Sequence, residues 1–366
     1  MTGRVLVAGF TTRHVAQSAA AAGYDVVAVD HFCDRDLSLF TSDRIAFSDV
    51  DEIPDCIAEM SRRHRVDWRV ATSGAETLQT PLPVMGNGPG LAARFLDKAG
   101  VQEFFESAGL PVPARIPEGV FPAMVKPRSA AGGWRNRVVR SRKDLDAWRG
   151  EYPGVDHLLQ EVVGGTPASV SCLCNGKSAI ALASNAQILR GDPPAPYGFA
   201  GSLTPLDHPL ADRMCAFAAR AAAASGCVGS VGIDFMLGED ARAIEMNPRF
   251  QATVDTVERA LGVNLFRLHA DACRGILPAR TLRPRQYAVR QILFAPKNLT
   301  VREDLLPLVP RVADIPWPGT RIAEGDAFIS VFGWGPTADR AQAMRDDTIN
   351  RVHRAIGYHA GGRNPG

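Results

Sequence analysis

The chain has 366 residues, 46% of them apolar and 22% charged, which suits two or three packed units rather than one. A formal net charge of +2 gives no electrostatic case for nucleic acid or an anionic membrane as partner, and no apolar run approaches the length of a bilayer span. The N-terminus runs straight into the apolar segment Val5–Ala8 without a leader pattern, and seven scattered cysteines read as reduced, mostly buried thiols; the expected location is the cytoplasm.

Val5–Ala8, ending at Gly9, reads as a strand. A helix over His14–Ala22 ends at Gly23, and Asp25–Asp30 is a second buried strand with an acidic end. This β-α-β pattern implies a parallel sheet. A dinucleotide site would need Gly-x-Gly-x-x-Gly at the first turn, but Gly9-Phe-Thr-Thr-Arg-His supplies one glycine, so NAD is not expected. Asp30 is then read as a polar strand end. Residues 51–65 suit an amphipathic helix with Ile53, Ile57, Met60 and His64 inward. Trp68–Thr72 is a strand, and Ser73–Glu76 is the loop at its carboxyl end, where ligands of open α/β sheets gather.

The Pro/Gly-rich stretch 81–90 marks a boundary, and one helix is expected over Leu91–Ser107. A strand over Phe121–Lys126 meets Pro127 and a small-residue loop, Arg128–Trp134. Its backbone N–H groups suit phosphate oxygens, although Gly132-Gly133 also suits a plain turn. A helix over Ser141–Gly150 precedes a strand over Leu158–Val163. Ser169–Cys174 and Ala179–Ser184 flank Asn175-Gly176, a hairpin signal. Residues 191–201 read as a mobile loop over a site, and Leu210–Ser225 as a helix.

The stretch 231–249 carries the chemistry. Two strands are joined at Gly238-Glu239-Asp240, with Ile233, Phe235, Leu237, Ile244 and Met246 on one face. If the hairpin closes about Glu239–Asp240, Asp234 stands opposite Glu245, with Asn247 further along the same face. Opposed carboxylates repel, whereas a hard divalent cation would use their oxygens. Helices over Val254–Ala260 and Val263–Gly275 follow. Strands at Gln291–Phe294 and Ala327–Phe332 then lead to a last helix, Thr337–Ile356.

In this order the segments resemble the ATP-grasp superfamily of carboxylate–amine ligases, above all its carboligase branch related to biotin carboxylase. The carriers are Asp234 with Glu245-Met-Asn247-Pro-Arg249, Lys126-Pro127 with the loop Ser129–Gly133, Asp97-Lys98, Gln160-Glu161-Val162-Val163, and Asp314–Thr320 with Gly325. The resemblance implies a mixed α/β and α+β fold. A Rossmann-like pre-ATP-grasp domain over 1–85 would precede the ATP-grasp module over 86–283, with a lid at about 115–163, and a small C-terminal domain over 284–366. It also implies ATP bound by Lys98, Lys126, Ser129, Gly132, Gly133 and the hinge residues Gln160, Glu161, Val162 and Val163, with the Glu161 carboxylate toward the nucleoside. Glu245 and Asn247 would hold one or two Mg²⁺ (Mn²⁺ as a substitute), with Asp234 as a ligand or a partner behind them; Arg249 and Lys126 are the catalytic candidates. The implied reaction joins a small carboxylate to an amine through an acyl phosphate, with bicarbonate activation or a non-catalytic nucleotide-binding scaffold as alternatives and a homodimer left open. Two departures stand out. Gly232 occupies the position of a ligase arginine, and Gly165-Thr-Pro-Ala-Ser169 lacks the glutamate that many members carry after the hinge.

Overall fold

The computed structural model describes residues 3–129, 133, 135–191 and 195–357. Its first elements are β1 (Arg4–Gly9), α1 (Arg13–Ala21), β2 (Asp25–Asp30), β3 (Asp43–Ala46), α2 (Ile53–Arg63) and β4 (Trp68–Ala71). They build a four-stranded parallel sheet of order β3-β2-β1-β4. Alternation along β1 sends Val5 and Val7 to the α1 side and Leu6 and Ala8 to the α2 side, against Ile53, Ile57 and Met60. Covering both faces explains the uninterrupted apolar runs. His64 does not join that core; it ends α2 half-buried, its Nε2 2.8 Å from Asp43. Gly9 packs against Thr72, whose hydroxyl would collide with any Cβ there. Buried Asp30 accepts N–H bonds from Thr12, Phe32 and Cys33 and the Thr12 hydroxyl, so its role is to shape the loops beyond β1 and β2.

The single helix expected over Leu91–Ser107 is two helices, α3 (Pro89–Ala93) and α4 (Lys98–Ser107). The Asp97 carboxylate accepts the Ala99 N–H at 3.1 Å, an N-cap that restarts the helix and places Lys98 at its first position. Next come β5 (Ala123–Pro127), β6 (Arg137–Val139), α5 (Arg142–Glu151) and β7 (His157–Gln160). The three strands form an antiparallel sheet of order β6-β5-β7 over a small core of Val125, Val139, Leu145 and Trp148. β7 stops at Gln160, so Glu161–Val163 leave the strand.

The remaining elements are β8 (Thr166–Asn175), β9 (Ala179–Leu189), β10 (Phe199–Thr204), α6 (Ala211–Ala224), β11 (Val228–Leu237), β12 (Ala241–Asn247), α7 (Val254–Leu261) and α8 (Leu265–Cys273). They are followed by β13 (Tyr287–Phe294), β14 (Leu299–Thr300), β15 (Val312–Ala313), β16 (Arg321–Ile322), β17 (Ala327–Gly335) and α9 (Ala338–Ala355). One eight-stranded sheet, β12-β11-β8-β9-β10-β13-β17-β15, runs across residue 284 without a break. Helices α4 and α6 cover one face of its β11 end, where Cys172, Cys174, Ile233, Phe235 and Leu237 are buried. All seven cysteines are free. Residues 192–194 of the loop expected over 191–201 lie outside the described residues, and its end already belongs to β10, which pairs with β9 and β13. No helix among the described residues is long and apolar enough to cross a membrane.

Candidate active site

β11 and β12 pair Asp234 with Glu245 and Gly232 with Asn247, the register expected from the sequence. The turn differs. Gly238 N–H bonds the Asp240 carbonyl at 3.2 Å, and Leu237 faces Ala241, so the loop holds three residues rather than two. The extra residue is absorbed as a bulge at Ile244, which restores the register at Glu245. Ala243 and Met246 are therefore buried together, and Ile244, expected beside Met246, turns out into a cleft.

That cleft encloses about 800 Å³ between the three-stranded sheet, the large sheet and the loops after β1 and β4. Asp234, Glu245, Asn247, Arg249, Lys126, Ser129 and Gly133 line it. Lys98 reaches the same place from the start of α4, its Nζ 3.8 Å from Glu245 Oε2. Arg128 fixes that helix start, donating to both Asp97 oxygens at 2.7 and 2.8 Å while its carbonyl accepts the Lys98 N–H.

The electrostatics of this end are unbalanced. Burial pushes the Asp234 carboxyl up to about 7, and the facing Glu245 carboxylate adds to it; Arg249 and the amides of Gln187 (2.9 Å) and Asn247 (3.4 Å) oppose the rise. Burial brings the Lys126 ammonium down to about 8, with Glu245 resisting and Lys98 assisting. The Arg249 guanidinium donates to Glu76 at 2.5 Å and to Asn247 Oδ1 at 3.1 Å, joining the hairpin to the loop after β4.

Among the described residues, no three His, Cys, Asp or Glu side chains cluster as a metal cage. Two opposed carboxylates and one amide oxygen do suit Mg²⁺, which characteristically takes one or two carboxylates and completes its shell with water and phosphate oxygens.

The hinge residues divide. Glu161, Val162 and Val163 line the cleft. The Oε1 of Glu161 accepts from the Arg242 guanidinium and from the Ala114 N–H (2.9 Å). The Gln160 side chain does not line the cleft; it is buried, donating to Gln102 Oε1 at 2.9 Å. Gly132 lies outside the described residues. The departure at Gly232 has a steric cause, because the Gln251 carboxamide fills the space where its Cβ would stand. Gln251, Glu76 as partner of Arg249, and Gln187 on Asp234 were not legible as site residues, except that Glu76 lies in the loop expected at a ligand edge.

Residues 95–253 match a family model described as ATP-grasp domain, and the chain carries an ATP-grasp domain of mixed α/β fold. A curated relative, the carbamoyl phosphate synthase large chain of Pseudomonas syringae pv. tomato, is 25% identical over 87% of this chain and 32% of its own length. The chain thus spans about a third or less of the curated relatives it matches. Among solved structures, the biotin carboxylase domain dimer of Hydrogenobacter thermophilus 2-oxoglutarate carboxylase, in complex with MgADP, ADP and bicarbonate, superposes with a TM-score of 0.77. It is 16% identical and covers 97% of this chain and 89% of its own. The L-amino acid ligase of Bacillus licheniformis superposes with a TM-score of 0.72 at 15% identity, covering 95% and 97%. At these identities the likeness establishes the fold.

Proposed function

We propose that the chain is an ATP-dependent ligase that joins a small carboxylate to an amine or related nucleophile. The observation that carries the reading is the convergence of Lys98, Lys126, Arg249 and the facing Asp234 and Glu245 at one end of the cleft. ATP as substrate would supply the phosphoryl group that converts the carboxylate to an acyl phosphate, with ADP leaving; the nucleophile then displaces phosphate. Phosphoryl transfer asks a protein mainly for positioning and charge neutralisation. Lys98 and Lys126 would neutralise phosphate oxygens, with Ser129 and Gly133 covering them. The backbone of Glu161–Val163 would edge the base, and Arg249 would face the transferred group. Glu245 and Asn247, with Asp234 directly or behind them, would hold Mg²⁺, which supplies further neutralisation.

In this reading residues 1–85 are a Rossmann-like pre-ATP-grasp unit. Residues 86–283 are the ATP-grasp module with its lid at about 115–163, and 284–366 a C-terminal unit that continues the large sheet. The dimer named for the Hydrogenobacter protein makes a homodimer reasonable here too. Its bicarbonate and biotin carboxylase fold favour a second reading, activation of bicarbonate as carboxyphosphate.

Magnesium-dependent ADP release, measured across carboxylates with and without amines, separates the two. Release that needs a carboxylate and rises with an amine is expected. Stimulation by bicarbonate alone would select the carboxylase, and no ADP release under any combination would overturn both.

A further inference from the structure

The cleft has a second end that the phosphate chemistry does not use. It lies at the carboxyl edge of β1 and β4, and short contacts tie it to Arg249. Phe10 N–H donates to the Ser73 carbonyl at 2.7 Å. The adjoining Gly74 sits beside Val50, whose Cγ1 is 3.8 Å from where a Cβ on Gly74 would be. Gly74 N–H donates to Glu76 Oε2 at 2.7 Å, and the other oxygen of Glu76 takes the Arg249 guanidinium. An acceptor seated here is therefore next to the reacting phosphate of the proposed function.

This end presents two apolar side chains, Phe10 and Val50, beside the hydroxyl residues Thr11, Thr72, Ser73 and Thr77. Phe10 and Val50 line the cleft yet remain 40% and 45% exposed. Phe10 is braced from behind: it stacks on His31 with ring centroids 4.6 Å apart and meets Phe32 edge-on at 5.4 Å. A ring already fixed loses little freedom when a ligand covers it. His14, in the first turn of α1, is 3% exposed and lines the same end, and its Nδ1 has no hydrogen-bond partner among the described residues. The carboxylate of this end, Glu76, and the guanidinium beside it, Arg249, are paired with each other, which leaves no uncommitted cation for a second acidic group. A second anionic group on the acceptor would be desolvated without a counter-charge.

Resting on the ligase reading, we propose that one of the two substrates carries an aromatic-sized apolar group that packs on Phe10 and Val50, and that it bears no second acidic group. The general form is that of a small-molecule site with an apolar wall and few polar contacts.

The test is calorimetric titration of the full chain, with and without MgADP, using phenylalanine and 3-phenylpropionate against glutamate and succinate. The aromatic probes should bind more tightly than the diacids. Phe10→Ala should weaken them about tenfold or more, and Phe10→Tyr should retain them within a few-fold and show that the loop still folds. Preference for glutamate or succinate, no binding of either aromatic probe, or unchanged affinity in Phe10→Ala would each overturn the assignment. Because binding rather than turnover is read, the two readings fail separately. Aromatic probes held through Phe10 by a chain that never turns over ATP would refute the ligase and leave the pocket, whereas turnover with glutamate as the sole acceptor would refute the pocket and leave the ligase.

Discussion

Two clusters of opposite charges in the fold are built to opposite ends. In the first, Arg13 donates to both oxygens of Asp255 (2.8 and 2.7 Å) and to Asp314 (2.9 Å), while Arg290 donates to Asp314 (2.8 Å), the Ser330 hydroxyl and the Ala252 carbonyl. Asp36 accepts the N–H groups of Asp314 and Ile315. Burial alone would raise all three carboxyls; at Asp255 and Asp314 the arginines Arg13 and Arg290 outweigh it and hold them below the ordinary range, whereas Asp36, with Arg13 only opposing in part, stays raised. The second cluster, at the hairpin, shows the reverse: a carboxyl raised to about 7 and an ammonium lowered to about 8. Both contain comparable charges under comparable burial. The difference is compensation: Asp255 and Asp314 in the first cluster are paired with arginines within the protein, whereas in the second, under the proposed function, a cation and an anion would complete the pairing. Shifts toward the neutral form in a cleft point to function, whereas shifts toward the ionised form in a core point to structure.

The sharpest way to break the comparison is Glu245→Ala. ATP turnover should fall about a thousandfold or more, as when a phosphoryl-transfer site loses a charge-stabilising group. The melting temperature should not fall, because a repelled carboxylate has been removed. Substantial residual turnover would refute the metal assignment. Arg13→Met should act in the opposite sense, since Asp255 loses its bidentate partner and Asp314 keeps only Arg290, a loss of about 3–5 kcal/mol in denaturant titrations. A loss below about 1 kcal/mol would show that the cluster is not paired as described. Glu76→Gln should free Arg249 and lower kcat by about tenfold to a hundredfold with nucleotide affinity nearly kept, as expected of a positioning contact; an unchanged kcat would remove Glu76 from that role.

The smallest effect concerns Asp234. A carboxyl whose folded pKa is raised destabilises the fold when ionised, so stability of the nucleotide-free chain should decline as pH rises from about 4 through about 7. Asp234→Asn should remove that slope and be more stable by on the order of 1 kcal/mol at pH 8, with no difference near pH 4. Parallel pH profiles for the two proteins would contradict it.

How much of this was legible followed the distance over which the information is written. The Asp234–Glu245 register came from a period of two across a hairpin, a local rule, and it holds. The bulge at Ile244 did not, because Gly-Glu-Asp fits a two- or a three-residue turn equally well. The single helix expected over Leu91–Ser107 passed over Asp97, whose capping carboxylate was the signal against it. Asp43–Ala46, Arg137–Val139 and the two-residue strands are too short to show a period. Arg13 and Asp314 are 301 residues apart, and no local pattern announces that they meet. Gln187 and Gln251 were missed for the same reason: an amide that completes a site from another strand or loop carries no motif of its own.

The central claim is that the hairpin end of the cleft is held open for nucleotide phosphate and Mg²⁺ together. Titrating the full chain with ATP, with and without Mg²⁺, tests it most directly. The account predicts saturable binding that tightens at least about tenfold when Mg²⁺ is present. Absence of ATP binding both with and without Mg²⁺ would contradict it.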